Sequence, residues 1–121
     1  MNDDHQRHIV FLDRDTMPDA VTVRAPDFPH TMDTYDRTAP DDVAARCKDA
    51  DIVITNKVPL RADALAQIKN LKMVAVAATG TDNVDLKVCA ERGVVVSNIR
   101  AYAIATVPEH TMGLMLSLSR S

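Results

Sequence analysis

Apolar residues along this chain gather in short unbroken runs: Ile9–Leu12, Ile52–Ile54, Met73–Ala77 and Val94–Val96. None alternates apolar with polar, and each is too short for a typical helix. The runs therefore predict strands of a parallel sheet covered on both faces. A weaker strand is expected near Thr31–Tyr35. Helical stretches fall between the runs at Pro40–Lys48, Arg61–Ile68 and Val84–Arg92, the last followed by Gly93 where a helix C′ glycine belongs. Right-handed crossovers between such units give an α/β fold with a flavodoxin-like parallel sheet.

In that fold the loops at the carboxyl ends of the strands share one edge, where ligands bind. Four segments are expected to meet there: Asp13-Arg14, Thr55-Asn56-Lys57, Thr79-Gly80-Thr81 and Ser97-Asn98. The third is the most informative. Met73–Ala77 drives straight into Ala78-Thr79-Gly80-Thr81-Asp82, as a buried strand does when its loop brings bare backbone to a ligand. Gly80 is expected to allow positive φ and close approach, so that consecutive amides turn toward one anion, with a small carboxylate the best candidate. A tight turn between strand and helix accounts for the same residues without a ligand. Lys57, the one lysine in the four segments, either steers an anion or is a solvated strand-end side chain.

Thr106-Val107-Pro108-Glu109 has the T-x-x-E form of a capping box with proline in the first turn, which predicts a helix capped by Thr106. Val107, Thr111, Leu114 and Leu118 share one face of it, while Met112, Met115 and Leu116 cover much of the rest. A helix so apolar expects cover on several sides. With the sequence stopping at Ser121, that cover is expected from residues outside it or from a second copy, and without it the helix is expected to fray. His110 adjoins Glu109, but helix neighbours point roughly 100° apart, so the pair does not form an orienting dyad and a structural role is expected. His5, His8 and His30 lie in polar amino-terminal segments without partner spacing.

A length of 121 residues suffices for one domain with a core but not for two complete ones. The net charge of −3 without basic clusters, and the scarcity of aromatic residues, argue against nucleic-acid binding. No run reaches membrane-spanning length, and Met1–His8 is too polar for a signal peptide, so a cytoplasmic protein is expected. Cys47 and Cys89 lie in separate helix-like segments and form no CxxC or Cys/His cluster. Both are expected to be reduced and structural, with no metal site.

Taken in order, FLDRDT, DIVITNKVPL, VAVAATGTDNVD, RGVVVSN and TVPEHTMGLML resemble the amino-terminal part of the D-isomer-specific 2-hydroxyacid dehydrogenases. The nearest branch is the glycerate dehydrogenase or hydroxypyruvate reductase group, and the similarity runs from His8 to Arg120. It implies a substrate-binding lobe over residues 1–98, then a hinge and the first helix of an incomplete Rossmann domain over residues 99–121. It also implies substrate contacts at Asn56, Lys57 and the amides of Thr79, Gly80 and Thr81, with Asn98 at the hinge strand and Thr106 near the nicotinamide of NAD or NADP. The implied substrates are a small glycerate-like D-2-hydroxy acid and its 2-oxo acid, hydroxypyruvate or glyoxylate. The implied partner is a second copy, joined through residues 106–118.

The departures from the family are large. Gly80, Gly93 and Gly113 are the only glycines, so no GxGxxG pyrophosphate loop can be assembled. The family's catalytic Arg, Glu and His have no counterpart in these residues, although hydride transfer to a 2-oxo acid needs an orienting cation and a proton donor. The 121 residues alone are expected to be inactive, to hold no catalytic residue and to bind the dinucleotide weakly.

Two other readings stand beside this one. Ile9–Thr16 fits the hhhhDxDxT motif of haloacid-dehalogenase-like phosphatases, with Asp13 as nucleophile and Asp15 as general acid beside Mg²⁺. The usual glycine after the second Asp is absent, however, and Asp82 and Asp85 lack a clear metal-binding spacing. The remaining reading is a non-catalytic binding or assembly fragment. A receiver-type domain is disfavoured, because Asn56 and Ile99-Arg100 stand where it needs Asp and Lys.

Overall fold

The computed structural model describes residues 6–121; His5 and the rest of residues 1–5 lie outside the described residues. The elements are β1 (Arg7–Phe11), β2 (His30–Thr34), α1 (Val43–Arg46), β3 (Ile52–Thr55), α2 (Ala62–Gln67), β4 (Met73–Val76), α3 (Leu86–Glu91), β5 (Val95–Asn98) and α4 (Thr106–Ser119). A 3₁₀ turn at Pro40–Asp42 leads into α1. The strands form one parallel sheet in the order β2-β1-β3-β4-β5, the flavodoxin-like order. The register lines up Val10, Val53, Val74 and Val96 across four strands. This valine row is the floor of the core, on which Val43, Cys47, Leu65 and Cys89 of the helices pack.

Over the central strands β1, β3 and β4 only one face of the sheet is fully covered, and at the edge Val95 of β5 is largely exposed, against the expectation of cover on both faces. Ile9, Val10, Phe11 and Leu12 are all buried, so β1 meets the expectation of two covered faces. On β3 and β4 burial alternates: Val53, Thr55, Val74 and Val76 are buried, while Ile52, Ile54, Met73 and Ala75 are half-buried. The reason is topological. The connections β2→β3, β3→β4 and β4→β5 all advance in the same direction, so right-handed crossovers put α1, α2 and α3 on one face. The return from β1 to β2 contributes no α-helix, only a 3₁₀ turn at Arg14–Thr16 and irregular chain.

Local sequence closes the third helix cleanly. Asp85 Oδ1 accepts the N–H of Val88 at 3.1 Å, an N-cap bond. At the other end Gly93 adopts φ +69°, Gly93 N–H donates to Ala90 O at 3.1 Å, and Val94 N–H donates to Cys89 O at 2.8 Å. That pair of bonds is a Schellman motif, the role expected of Gly93. Arg92 then reaches the carboxyl end of α2, donating to the carbonyls of Leu65 and Ile68, where a cation offsets the helix dipole.

Both thiols are buried and unpaired. Burial pushes Cys47 up to about 12 and outweighs the opposing pull of Arg46. Burial also raises Cys89, helped by the nearby Asp85. Each thiol is therefore held neutral, as a structural role requires.

The last helix corrects one expectation. Its range begins at Thr106 as the pattern predicts, but the capping box does not form. Ala105 precedes it in helical conformation, and no side chain caps it. The carbonyls of Ala103 and Ala105 already accept the N–H groups of Val107 and Glu109, at 3.4 and 3.1 Å, leaving the Thr106 hydroxyl no amide to satisfy. No residue of α4 is buried. Among the described residues no helix is long and apolar enough to cross a membrane.

Candidate functional site

Because β1, β3, β4 and β5 run parallel, the four loops singled out in the sequence emerge on one edge. Order 2-1-3-4-5 places the switch point of the fold between β1 and β3. Asp13, only 3 % exposed, fills it. Its carboxylate accepts the N–H of Asn56 at 2.9 and 3.1 Å, of Lys57 at 2.6 Å and of Val58 at 3.1 Å. Three successive amides aimed at one point form an anion nest, and the chain supplies the anion itself. Asp15 pairs with Arg37. Among the described residues no group of three or more His, Cys, Asp or Glu is placed to hold a metal.

One strand further along, between the ends of β3 and β4, lies a cavity of about 140 Å³ lined by Asn56, Lys57, Ala78, Gly80, Asp82 and Asn83. That is about five water volumes at roughly 30 Å³ each, room for a two- or three-carbon acid. Its walls are fixed by short backbone links. Leu60 N–H donates to Asn83 O at 2.8 Å and Asp85 N–H to Leu60 O at 3.0 Å, tying the loop after β3 to the loop after β4. Asn98 Nδ2 donates to Thr79 O at 2.7 Å from the end of β5.

Gly80 acts differently from expectation. Its φ is not positive; among the described residues Gly93 is the positive-φ glycine. What Gly80 provides is space, since a Cβ there would stand 3.1 Å from Asp82 Oδ1. Close approach is thus kept and the left-handed turn is not. No described group accepts the N–H of Thr79, Gly80 or Thr81, which leaves three consecutive donors at the rim.

Of the expected substrate residues, Asn56, Lys57 and Gly80 share this cavity, while Thr79 and Thr81 flank it without lining it. Thr106 is elsewhere, on a groove along α4 with Glu109, His110 and Gly113. Two roles are not legible in the sequence. Asn83 lines the cavity and its Nδ2 reaches the carbonyls of Asn56 and Val58 at 3.4 and 3.3 Å, while its Oδ1 is buried and accepts nothing from the protein. Asp13 is expected from the sequence at this edge of the sheet, but not as the anchor of the loop after β3. No local signal marks either role, because both depend on contacts across more than 20 positions of sequence.

Comparison with known proteins agrees with this architecture. Residues 9–117 match the family model of the D-isomer specific 2-hydroxyacid dehydrogenase catalytic domain. The chain is 49 % identical over 116 residues to a glycerate dehydrogenase of Methylorubrum extorquens, covering 95 % of this chain and 36 % of that protein. It is 39 % identical over 87 residues to a hydroxypyruvate reductase of Blautia hydrogenotrophica, covering 69 % of this chain and 27 % of that one. The chain thus spans about a third of the length of these relatives. A D-lactate dehydrogenase from Aquifex aeolicus, solved with NAD and lactic acid, superposes with TM-score 0.67 over 93 % of this chain and 33 % of that one, at 20 % identity. D-mandelate dehydrogenase of Rhodotorula graminis gives the same score over 93 % of this chain and 37 % of that one, at 19 % identity. At such identities the likeness is one of fold; membership follows from the family match and from the identity to the glycerate dehydrogenase. The chain belongs to the D-isomer-specific 2-hydroxyacid dehydrogenase family.

Proposed function

We propose that this chain is the substrate-binding part of an NAD(P)-dependent oxidoreductase that interconverts a small glycerate-like D-2-hydroxy acid and its 2-oxo acid, hydroxypyruvate or glyoxylate. The observation that carries the reading is the cavity that unites Asn56, Lys57 and Gly80 between β3 and β4. At its rim the free amides of Thr79, Gly80 and Thr81 bind the substrate carboxylate, Lys57 attracts it, and the small volume selects short acids. Residues 1–98 form the substrate lobe, and residues 99–121 form the hinge and first helix of a dinucleotide-binding domain.

The residues present do not fit a nicotinamide dinucleotide on their own. Three isolated glycines give no pyrophosphate loop, and Thr106 on an exposed helix is the one candidate contact. On this reading the isolated 121 residues do not carry out hydride transfer. The buried thiols of Cys47 and Cys89 fit a reducing cytoplasm.

Pairing of two copies through residues 106–118 belongs to the same reading. Val107, Met112, Leu114, Met115, Leu116 and Leu118 are each more than half exposed on α4. Burying such side chains gains roughly 1.5–3 kcal/mol apiece, so leaving all six in water forgoes about 10 kcal/mol, an upper estimate.

A reductase assay tests the division of labour. With hydroxypyruvate or glyoxylate and either NADH or NADPH, the 121-residue chain should show no turnover at high protein concentration, yet bind oxalate, a non-reducible carboxylate, at Gly80. Turnover that survives repurification would disprove the claim of inactivity. Absence of any oxalate effect on the Gly80 amide would remove the carboxylate site.

A further inference from the structure

We propose that Asp13 is a positioning residue for the cleft: together with Asn83 it clamps the loop of Asn56, Lys57 and Val58 from both sides, and so fixes where Asn56 and Lys57 meet a bound carboxylate. The proposal rests on reading the cavity between β3 and β4 as a carboxylate site.

The loop has two sides, each with its own holder. The amides of Asn56, Lys57 and Val58 all donate to the Asp13 carboxylate. The carbonyls of Asn56 and Val58 face the Asn83 carboxamide, and the Thr55 hydroxyl adds a bond to Val58 O at 3.0 Å. Asp13 does not line the cavity between β3 and β4. It lines a larger groove of about 500 Å³ on the other side of the same loop, with Asp15, Arg37 and Lys57. Lys57 therefore borders both spaces.

A carboxylate suits this task for a definite reason. It offers only acceptors, so all three amides can converge on it, and charge-assisted bonds of this kind are short and geometrically demanding. A carboxamide that keeps its oxygen at the Oδ2 position would turn its NH2 group toward the N–H of Asn56, which already donates there, and the loop would have to shift at Asn56 to relieve the conflict. The effect reaches the cleft through the backbone of residues 56–58 and needs no contact between Asp13 and the ligand.

The test is an amide NMR titration of the 121-residue chain with oxalate, using wild type, Asp13→Asn, Asn83→Ser and Gly80→Val. In wild type, oxalate should shift the Lys57 and Gly80 amides saturably. In Asp13→Asn the core-strand resonances should persist, and the amide protons of residues 56–58 should move upfield even without ligand. Oxalate should then bind at least tenfold more weakly, or about 1.4 kcal/mol. Asn83→Ser should weaken binding in the same direction, whereas Gly80→Val should weaken it without moving the free-state resonances of residues 56–58. Folded Asp13→Asn and Asn83→Ser variants that both bind within about twofold of wild type would overturn the proposal and leave Asp13 as a fold anchor only. Should Asp13→Asn fail to fold, Asn83→Ser decides by the same criterion. Wild type with no saturable shift at Lys57 and Gly80 would refute the carboxylate site itself, and this proposal with it.

Discussion

The N–H of Lys57 stands 2.6 Å from Asp13 Oδ2 and donates to it, so the carboxylate after β1 is held by the loop that leaves β3. Asn56 and Val58 complete the grip. A phosphatase nucleophile must instead keep its carboxylate oxygens for Mg²⁺ and a phosphoryl group, and here backbone amides occupy both. The chain should therefore hydrolyse no aryl phosphate in Mg²⁺, and its melting temperature should not rise with added Mg²⁺. Hydrolysis that disappears in Asp13→Asn would restore the phosphatase reading.

Gly80→Val should separate binding from folding. Its φ lies outside the left-handed region, and an added Cβ meets only the Asp82 carboxylate at 3.1 Å. Gly80→Val should accordingly cost the fold only about 1 kcal/mol. It should weaken oxalate binding at least tenfold, or about 1.4 kcal/mol, because its branches crowd the rim. Calorimetry paired with thermal melts reads both quantities. Losses of equal size would show that the loop is simply a turn.

Cys47 should make stability depend on alkaline pH. In the unfolded chain the thiol ionises near 9.0, whereas in the folded protein burial delays ionisation to about 12. Ionisation then favours the unfolded state across that window. The stabilisation is complete below pH 9 and is lost as pH rises toward 12, amounting to roughly 1 kcal/mol by pH 10. Urea melts between pH 7 and pH 10.5 should show the decline, with a shallower slope in Cys47→Ala; Cys89 contributes in the same direction. A slope identical in the variant would remove Cys47 as a cause.

The exposed face of α4 gives a direct prediction for assembly. Leu114 is 53 % exposed and Leu118 77 %, on a helix with no buried residue. Sedimentation of wild type should reveal self-association, and Leu114→Glu should weaken it by at least tenfold, since it puts a charge into an apolar contact. Monodisperse monomers in both, with a protease-resistant α4, would show that the helix needs no second copy.

The sequence by itself determined the strands, their parallel arrangement and most helix boundaries. Unbroken β-branched runs, the Asp85 and Gly93 caps, and Pro40 before α1 act within a few residues, and such short-range signals are legible along the chain. It also marked the edge of the sheet where Asn56, Lys57 and Gly80 meet. Tertiary structure decided the rest. One face of β3 and β4 stays half open, because three crossovers in one direction put all their helices on the other side, a fact about handedness and strand order that no single run encodes. Thr106 loses its capping role because carbonyls from the preceding turn satisfy the amides first. Asp13 becomes the anchor of a loop more than 40 positions away. Only the pairing of β1 with β3 brings that carboxylate to those amides, and a buried charge takes its role from whatever donors the fold sets around it.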